Sequence, residues 1–400
     1  MSDRPVTILC LASYFKGTTF LTAAKAMGCR VLLVTREKLA DEPWPREAID
    51  QIFFMPDLAK QPDMTYAIAY LMRGKAVDQI VPLDDYDVLP AAELREHFRL
   101  PGLGLTNGRY FRDKLAMRTQ ARRVGLPVPE FTPIFNYDDL RAFMARVAPP
   151  WVIKPRAEAG AMGIKKVYSS EEVWRWLDRL GDAQSYFLLE QFVPGRVYHV
   201  DSIVSGGEVV LAVPHEYAQP PLNVAHEGGV FVTRTIRRDS ADAQAILDLN
   251  RQMITGFGMA QGVAHTEFIR AEDGRFYFLE TAARVGGANI EELVAAAAGV
   301  NLWAEWVRLE MAYTLGEPYP IPADKGAYAG VLICLARQEW PDLSGYQDSE
   351  IVFRLRKKHH AGLIVASADN DRVEALVAAY AQRFADDFLA TAPPLDKPPA

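Results

Sequence analysis

Apolar and polar positions follow three regimes along the chain. Over residues 6–105, short apolar runs alternate with amphipathic stretches. Residues 6–12 read as a buried strand and 18–27 as a helix, with Gly28 suited to its C-terminal cap. Residues 30–35, 52–55 and 78–82 read as further strands, and 87–98 as a helix. Such alternation predicts a parallel sheet covered on both faces. Its strand ends at 13–18 and 83–86 would form the ligand-facing edge.

The pattern changes near residues 103–107. Residues 109–125 predict a basic helix ended by Gly125 and Pro127-Val128-Pro129. Short strands then crowd the chain at 151–154, 164–168, 187–192, 197–204, 208–213, 230–235, 263–270 and 275–280. Helices are expected near 170–180, 239–257 and 289–315, and a loop over 214–229. The third regime has strands near 327–336, 350–355 and 361–367 and a helix over 370–388. The expected domains are 1–107 (α/β), 108–318, 319–390 (α+β) and a disordered tail, 391–400.

Composition narrows the classes. At 400 residues the chain exceeds one ordinary core. Net charge is −7, and the basic run Arg354-Leu355-Arg356-Lys357-Lys358 is short, which argues against nucleic acid as a main partner. Cys10, Cys29 and Cys334 are far apart and form no CxxC, so neither a disulfide framework nor a zinc site is suggested, and a cytoplasmic protein is expected. No apolar run reaches membrane-spanning length, and the N-terminus does not read as a signal peptide.

The segment 262–280, GVAHTEFIRAEDGRFYFLE, holds the sharpest chemical signal. Asp273-Gly274 between two alternating runs predicts a hairpin with a two-residue turn. Glu267 would then face Glu280 across the ladder. Directly opposed like charges destabilise a sheet, and a divalent cation between hard oxygens would relieve the cost. The alternative is two carboxylates on a solvated face.

Neither GxxxxGK[ST] nor a strand followed by GxGxxG occurs, so a P-loop and a dinucleotide fingerprint are absent. Residues 156–163, RAEAGAMG, form another kind of glycine loop between two strands, with Lys154 just before it. The loop reads equally as an anion cradle or as an ordinary flexible hairpin. Glu190 lies in a strand that breaks at Pro194-Gly195, and suits either a purine reader or an edge-strand acid. Arg284, before Gly286 and Gly287, could neutralise the two carboxylates or direct its fork at a phosphoryl group.

Together these residues resemble the ATP-grasp superfamily. Lys114, Lys154, the loop Gly160, Ala161, Met162 and Gly163, the acid Glu190, then Glu267, Glu280 and Arg284 come in its order. Within it, HTEF and ETAARVGG look most like the branch of L-amino-acid ligases, which form dipeptides. The resemblance implies an N-terminal parallel-sheet domain, a two-lobed ATP-binding region and a small C-terminal α+β domain. It also implies roles. Lys114 and Lys154 would contact ATP phosphates, and the glycine loop would cover them. Glu190, Gln191, Phe192 and Val193 would hold adenine. Glu267 and Glu280 would hold magnesium, with manganese as an allowed substitute. Arg284 would stabilise an acyl phosphate, with Lys154 beside it.

Two places depart from that pattern. Val197 stands where many members carry a ribose acid, for which Asp201 or His199 could substitute. Ala282 stands where many carry a third metal ligand. The implied reaction is ADP-forming ligation of a carboxylate, an L-amino acid, to an amine. The amine site would lie near Gly286 and Gly287 and the loop residues His226 and Glu227. Carboxylation through carboxyphosphate, as in biotin carboxylases, simple phosphorylation and non-catalytic nucleotide binding are the competing readings. The resemblance also allows a homodimer.

Overall fold

The computed structural model describes residues 4–390. The expected tail, 391–400, lies outside them. Apolar runs in the first regime become β1 (Thr7–Ala12), β2 (Arg30–Arg36), β3 (Gln51–Met55) and β4 (Gln79–Pro82). All pair in parallel, in the order β3-β2-β1-β4. Every side chain of β1 is buried, as a strand covered on both faces requires. Helices α1 (Thr18–Ala26), α2 (Asp63–Met72) and α3 (Val88–Phe98) provide the cover. The chain runs outward from β1 through β2 to β3, then returns to β4 on the other side. The switch point therefore falls at the carboxyl ends of β1 and β4.

After α4 (Leu105–Arg109), helix α5 (Lys114–Arg123) begins later than expected. The Asp113 side chain fixes its start by accepting from Leu115 N and Ala116 N. A small antiparallel sheet follows. Its strands are β5 (Phe131–Pro133), β6 (Trp151–Pro155), β7 (Lys165–Val167) and β8 (Phe187–Gln191), in the order β5-β8-β6-β7. Helices α6 (Tyr137–Arg146) and α7 (Ser170–Leu180) close its own core around Leu140, Trp151 and Leu177.

The largest sheet holds β9 (Gly195–Ser205), β10 (Glu208–Tyr217), β11 (Phe231–Thr235), β12 (Gly262–Ala271), β13 (Phe276–Ala282), β14 (Tyr328–Leu335), β15 (Ile351–Arg354) and β16 (His360–Ser367). Its order is β13-β12-β9-β10-β11-β14-β16-β15. Because β14 pairs with β11, the expected boundary at 318/319 does not separate two sheets. The expected loop 214–229 is also partly regular. β10 continues through Tyr217, and Pro221 opens a short helix, α8 (Pro221–Glu227).

Helix α9 (Ala241–Phe257) and α5 cover one face of this sheet. The expected helix over 289–315 is two, α10 (Ile290–Ala298) and α11 (Leu302–Leu315). Gly299 at φ 75° separates them, and the Asn301 side chain caps the second. Both join the N-terminal sheet to the large one in a shared core, where Phe20 packs edge-on against Trp303 and Trp306. Helix α12 (Asn370–Asp387) covers β14 and β16. Among the described residues no helix is long and apolar enough to cross a membrane.

Candidate active site

The central hairpin reaches the expected pairing by an unexpected route. Ala271 N donates to Arg275 O and Gly274 N to Ala271 O, so the turn holds three residues, Glu272, Asp273 and Gly274. A bulge beside Glu267 then leaves Leu279 as an extra residue on β13. The two departures cancel, and Glu267 faces Glu280. Both line a cavity of about 760 Å³ bounded by the small sheet, the large sheet and the N-terminal switch point.

The hairpin carboxylates differ in surroundings. Glu267 is 12% exposed and accepts a 2.8 Å bond from the Tyr217 hydroxyl. Burial pushes its carboxyl up, but His265 and Tyr217 more than offset this and hold it below the usual range. Glu280 is 35% exposed and lies 3.2 Å from Lys114 Nζ. Two adjacent carboxylates, one wet and one hydrogen-bonded, are a donor set that suits magnesium, which keeps water ligands readily. Ala282 faces His265 and offers no ligand atom.

Lys154 ends β6 beneath the cavity and forms a buried ion pair with Glu190. Arg118 donates to the same carboxylate through Nε at 2.5 Å and NH2 at 3.2 Å. Burial acts to raise the Glu190 pKa, and Arg118 and Lys154 overcome it. One carboxylate between two cations leaves a net positive charge under the cavity floor. Burial, with Arg118 close by, brings the Lys154 ammonium down to about 8 against the pull of Glu190.

The glycine loop joins β6 to β7. Gly160, Ala161 and Gly163 all have positive φ, at 64°, 61° and 67°. For Ala161 that backbone is strained. The loop's first half is pinned. Lys114 N donates to Arg156 O, Lys114 Nζ to Glu158 O at 2.6 Å, and Tyr86 OH to Glu158 Oε2 at 2.8 Å. Gly160, Ala161 and Met162 line the cavity. Gly163 is not among its lining residues.

Gln191, Phe192 and Val193 line the same wall. The N–H groups of Gln191 and Phe192 are taken by Glu130 O and Pro150 O. Beyond them a Cβ at Gly195 would collide with the Arg270 carbonyl, so only glycine lets β9 and β12 close there. Arg284 donates to Val285 O at 2.9 Å and lies 3.6 Å from Asp85 Oδ2. Its Nε and Asp85 Oδ1 are buried without partners.

Four expected positions fall elsewhere. Asp201 is 0% exposed and lies 2.7 Å from His199 Nδ1 and 2.9 Å from His265 Nδ1, enclosed by these rings, so it cannot serve as the ribose acid. His226 and Glu227 end α8 and are not among the residues lining the cavity, while Pro221, Leu222 and Val224 of that helix are. Gly286 is buried against Ile290 and Asp201; Gly287 alone of the pair reaches the cavity. Ala288 and Asn289, at φ 53° and 58°, follow as two strained non-glycine residues at this wall.

The sequence reading missed Tyr14, Lys16, Asp84 and Tyr86, which line the cavity from the switch point. Their segments, 13–18 and 83–86, are the expected ligand-facing strand ends. Lys16 pairs with Asp84 at 2.5 Å, and Asp87 holds the β1 end by accepting from Ser13 N and Oγ.

A small sheet and a large sheet enclosing a nucleotide-sized cleft, preceded by a parallel-sheet domain, define the ATP-grasp fold. Residues 147–292 match the family model of the ATP-grasp domain. Among curated proteins it is similar to an L-arginine-specific L-amino acid ligase of Bacillus subtilis, at 24% identity over 261 residues. That match covers 64% of this chain and 62% of the relative, so the chain spans under two thirds of that relative's length. A D-alanine–D-alanine ligase of Pseudomonas entomophila (strain L48) is 26% identical over 208 residues, 50% of this chain and 64% of the relative. Among solved structures, an L-amino acid ligase from Bacillus licheniformis superposes with TM-score 0.76 at 18% identity, over 97% of this chain and 99% of that one. A phosphoribosylglycinamide synthetase from Anaerococcus prevotii gives 0.70 at 16% identity, over 96% and 98%. At these identities the structures establish the shared fold.

Proposed function

We propose that the protein is an ADP-forming ligase that joins a carboxylate, an L-amino acid, to an amine. The convergence of Lys154, Glu267, Glu280 and Arg284 on one cavity carries this reading. The similarity to amino-acid ligases supports it.

In the first step a carboxylate oxygen bonds to the γ-phosphorus of ATP, and the bond to the bridging oxygen of ADP breaks. In the second the amine nitrogen bonds to the acyl carbon, phosphate leaves with its oxygen, and the amine proton passes to solvent. Such chemistry rests on positioning and charge neutralisation. Lys154, above a net positive cluster, contacts the polyphosphate, and Lys114 approaches it from beside Glu280. Glu267 and Glu280 would hold magnesium, which would neutralise phosphate charge. Arg284, anchored through Asp85, directs its guanidinium at the acyl phosphate. The loop from Gly160 to Gly163 excludes water from that intermediate. Gln191, Phe192 and Val193 pack the adenine, and Gly287 borders the acyl centre.

The test is phosphate release from ATP over a matrix of L-amino acids and amines, with Glu280→Ala as the blank. Release that needs one acid and one amine together and vanishes in the blank supports the reading. Release stimulated by bicarbonate alone would replace it with carboxylation, and equal release by Glu280→Ala would sink the metal assignment.

A further inference from the structure

Behind the carboxylate pair, three imidazoles gather around one carboxylate. The register makes this happen: His199 of β9 faces His215 of β10, and Asp201 faces His265 of β12. His199, Asp201 and His215 are 0% exposed, and His265 is 9% exposed. His199 Nδ1 lies 2.7 Å from Asp201 Oδ2, His265 Nδ1 2.9 Å from Oδ1, and His215 Nδ1 3.6 Å from Oδ2. Ligand atoms of His199, Asp201 and His265 all fall within 4.8 Å of one another.

Hydrogen bonds alone do not satisfy this cluster. The Thr233 hydroxyl lies 3.1 Å from Glu216 O, to which it can donate its one proton. Thr233 Oγ1 also lies 2.8 Å from His199 Nε2, and either atom can carry the proton of that contact. With the proton on Nε2, the Nδ1 lone pair of His199 faces a carboxylate oxygen 2.7 Å away, an arrangement that a bound cation would relieve.

His215 supplies an independent observation. It stacks on His199 with ring centroids 4.5 Å apart and planes 9° apart. Both of its ring nitrogens are buried without a partner. A buried polar group left unpaired costs about 1–3 kcal/mol. One ion on Asp201 would answer both problems.

We propose that His199, Asp201 and His265 bind a divalent ion of the zinc class through Nδ1, carboxylate and Nδ1, with His215 Nδ1, 3.6 Å from Asp201 Oδ2, as the nearest further donor. Three imidazoles and one carboxylate are borderline donors that favour zinc over magnesium, so this site differs in kind from the Glu267–Glu280 pair. Metal-bound histidines direct their other nitrogen at an oxygen, and both do so here. His199 Nε2 meets Thr233 Oγ1, and His265 Nε2 lies 3.6 Å from Glu267 Oε1. Buried protein donors on three strands make the site structural. It ties β9, β10 and β12 together and orients Glu267 through His265. Entry is from the cavity, which His265 lines.

The experiment uses the full, untagged chain expressed with zinc and dialysed against magnesium buffer. Metal content is measured by mass spectrometry and, after exchange, by cobalt absorption. One zinc per chain and the intense visible bands of tetrahedral cobalt are expected. His199→Gln and Asp201→Asn lose the ion, His215→Phe weakens its binding at least about tenfold, and Glu280→Gln keeps it. A folded wild-type chain that takes up neither zinc nor cobalt overturns the proposal, whatever the variants do. So does zinc that survives His199→Gln but is lost in Glu280→Gln, which would put the ion on the hairpin carboxylates.

Discussion

Tyr86 at the N-terminal switch point holds Glu158 of the glycine loop through a 2.8 Å hydrogen bond. Arg112 lies 4.4 Å from the Tyr86 ring centre and Tyr14 5.1 Å, so the phenol is fixed from two sides. Tyr86→Phe keeps the ring and removes the bond, worth about 0.5–1.5 kcal/mol. The loop should open about 2- to 10-fold more often, read as faster tryptic cleavage at Arg156 or Lys165. Unchanged cleavage would mean that Lys114 alone sets loop closure.

Glu190 is the shared partner of two buried cations. Glu190→Ala strands Arg118 and Lys154 without a counter-charge. Removing one partner from a buried pair costs about 3–5 kcal/mol. The urea midpoint of the variant should fall accordingly. A midpoint within error of the wild type would mean that water reaches Lys154 freely.

Asp85 reaches from the N-terminal sheet to Arg284. Asp85→Asn weakens that anchor while leaving the loop and both lysines in place. Under the ligase reading kcat should fall about 10- to 100-fold, the range expected for a misplaced catalytic group, with the KM for ATP little changed. A change in KM alone would assign Asp85 to substrate binding.

Glu291, where α1 packs on α10 and α11, accepts from Thr19 and Trp303. Burial, then repulsion from Glu292, raises its carboxyl to about 7. The folded chain thus prefers the protonated form, and this group's contribution to stability declines as pH rises from about 4.5 through about 7. Glu291→Gln keeps the hydrogen-bonding shape without the charge. Its melting temperature relative to wild type should rise between pH 5 and pH 8. An equal difference at both values would remove Glu291 as a source of pH dependence.

Much of the fold was legible because local periodicity set it. The buried run of β1 and the alternation of β12 can be read directly. The Glu267–Glu280 pairing was reached although the turn was misjudged, since the bulge at Leu279 restored the register. Proline-rich residues 214–222 hid both the end of β10 and the start of α8. The break in 289–315 was signalled by Gly299 and Asn301 but masked by the apolar run around it. Lys16, Tyr86 and the histidine cluster were out of reach for a stronger reason. Asp201 and His265 are 64 positions apart, and only strand pairing brings them together.

The pairing of β11 with β14 bears on how this chain can be cut. Residues 231–234 bond to 330–333 along an internal ladder. A fragment ending at 318 would bare the backbone of β11 as a new edge, and long uncovered edges invite pairing with other chains. Minimal fragments that stop at the end of the nucleotide-binding half should therefore precipitate or recruit chaperones, and useful truncations must keep α12.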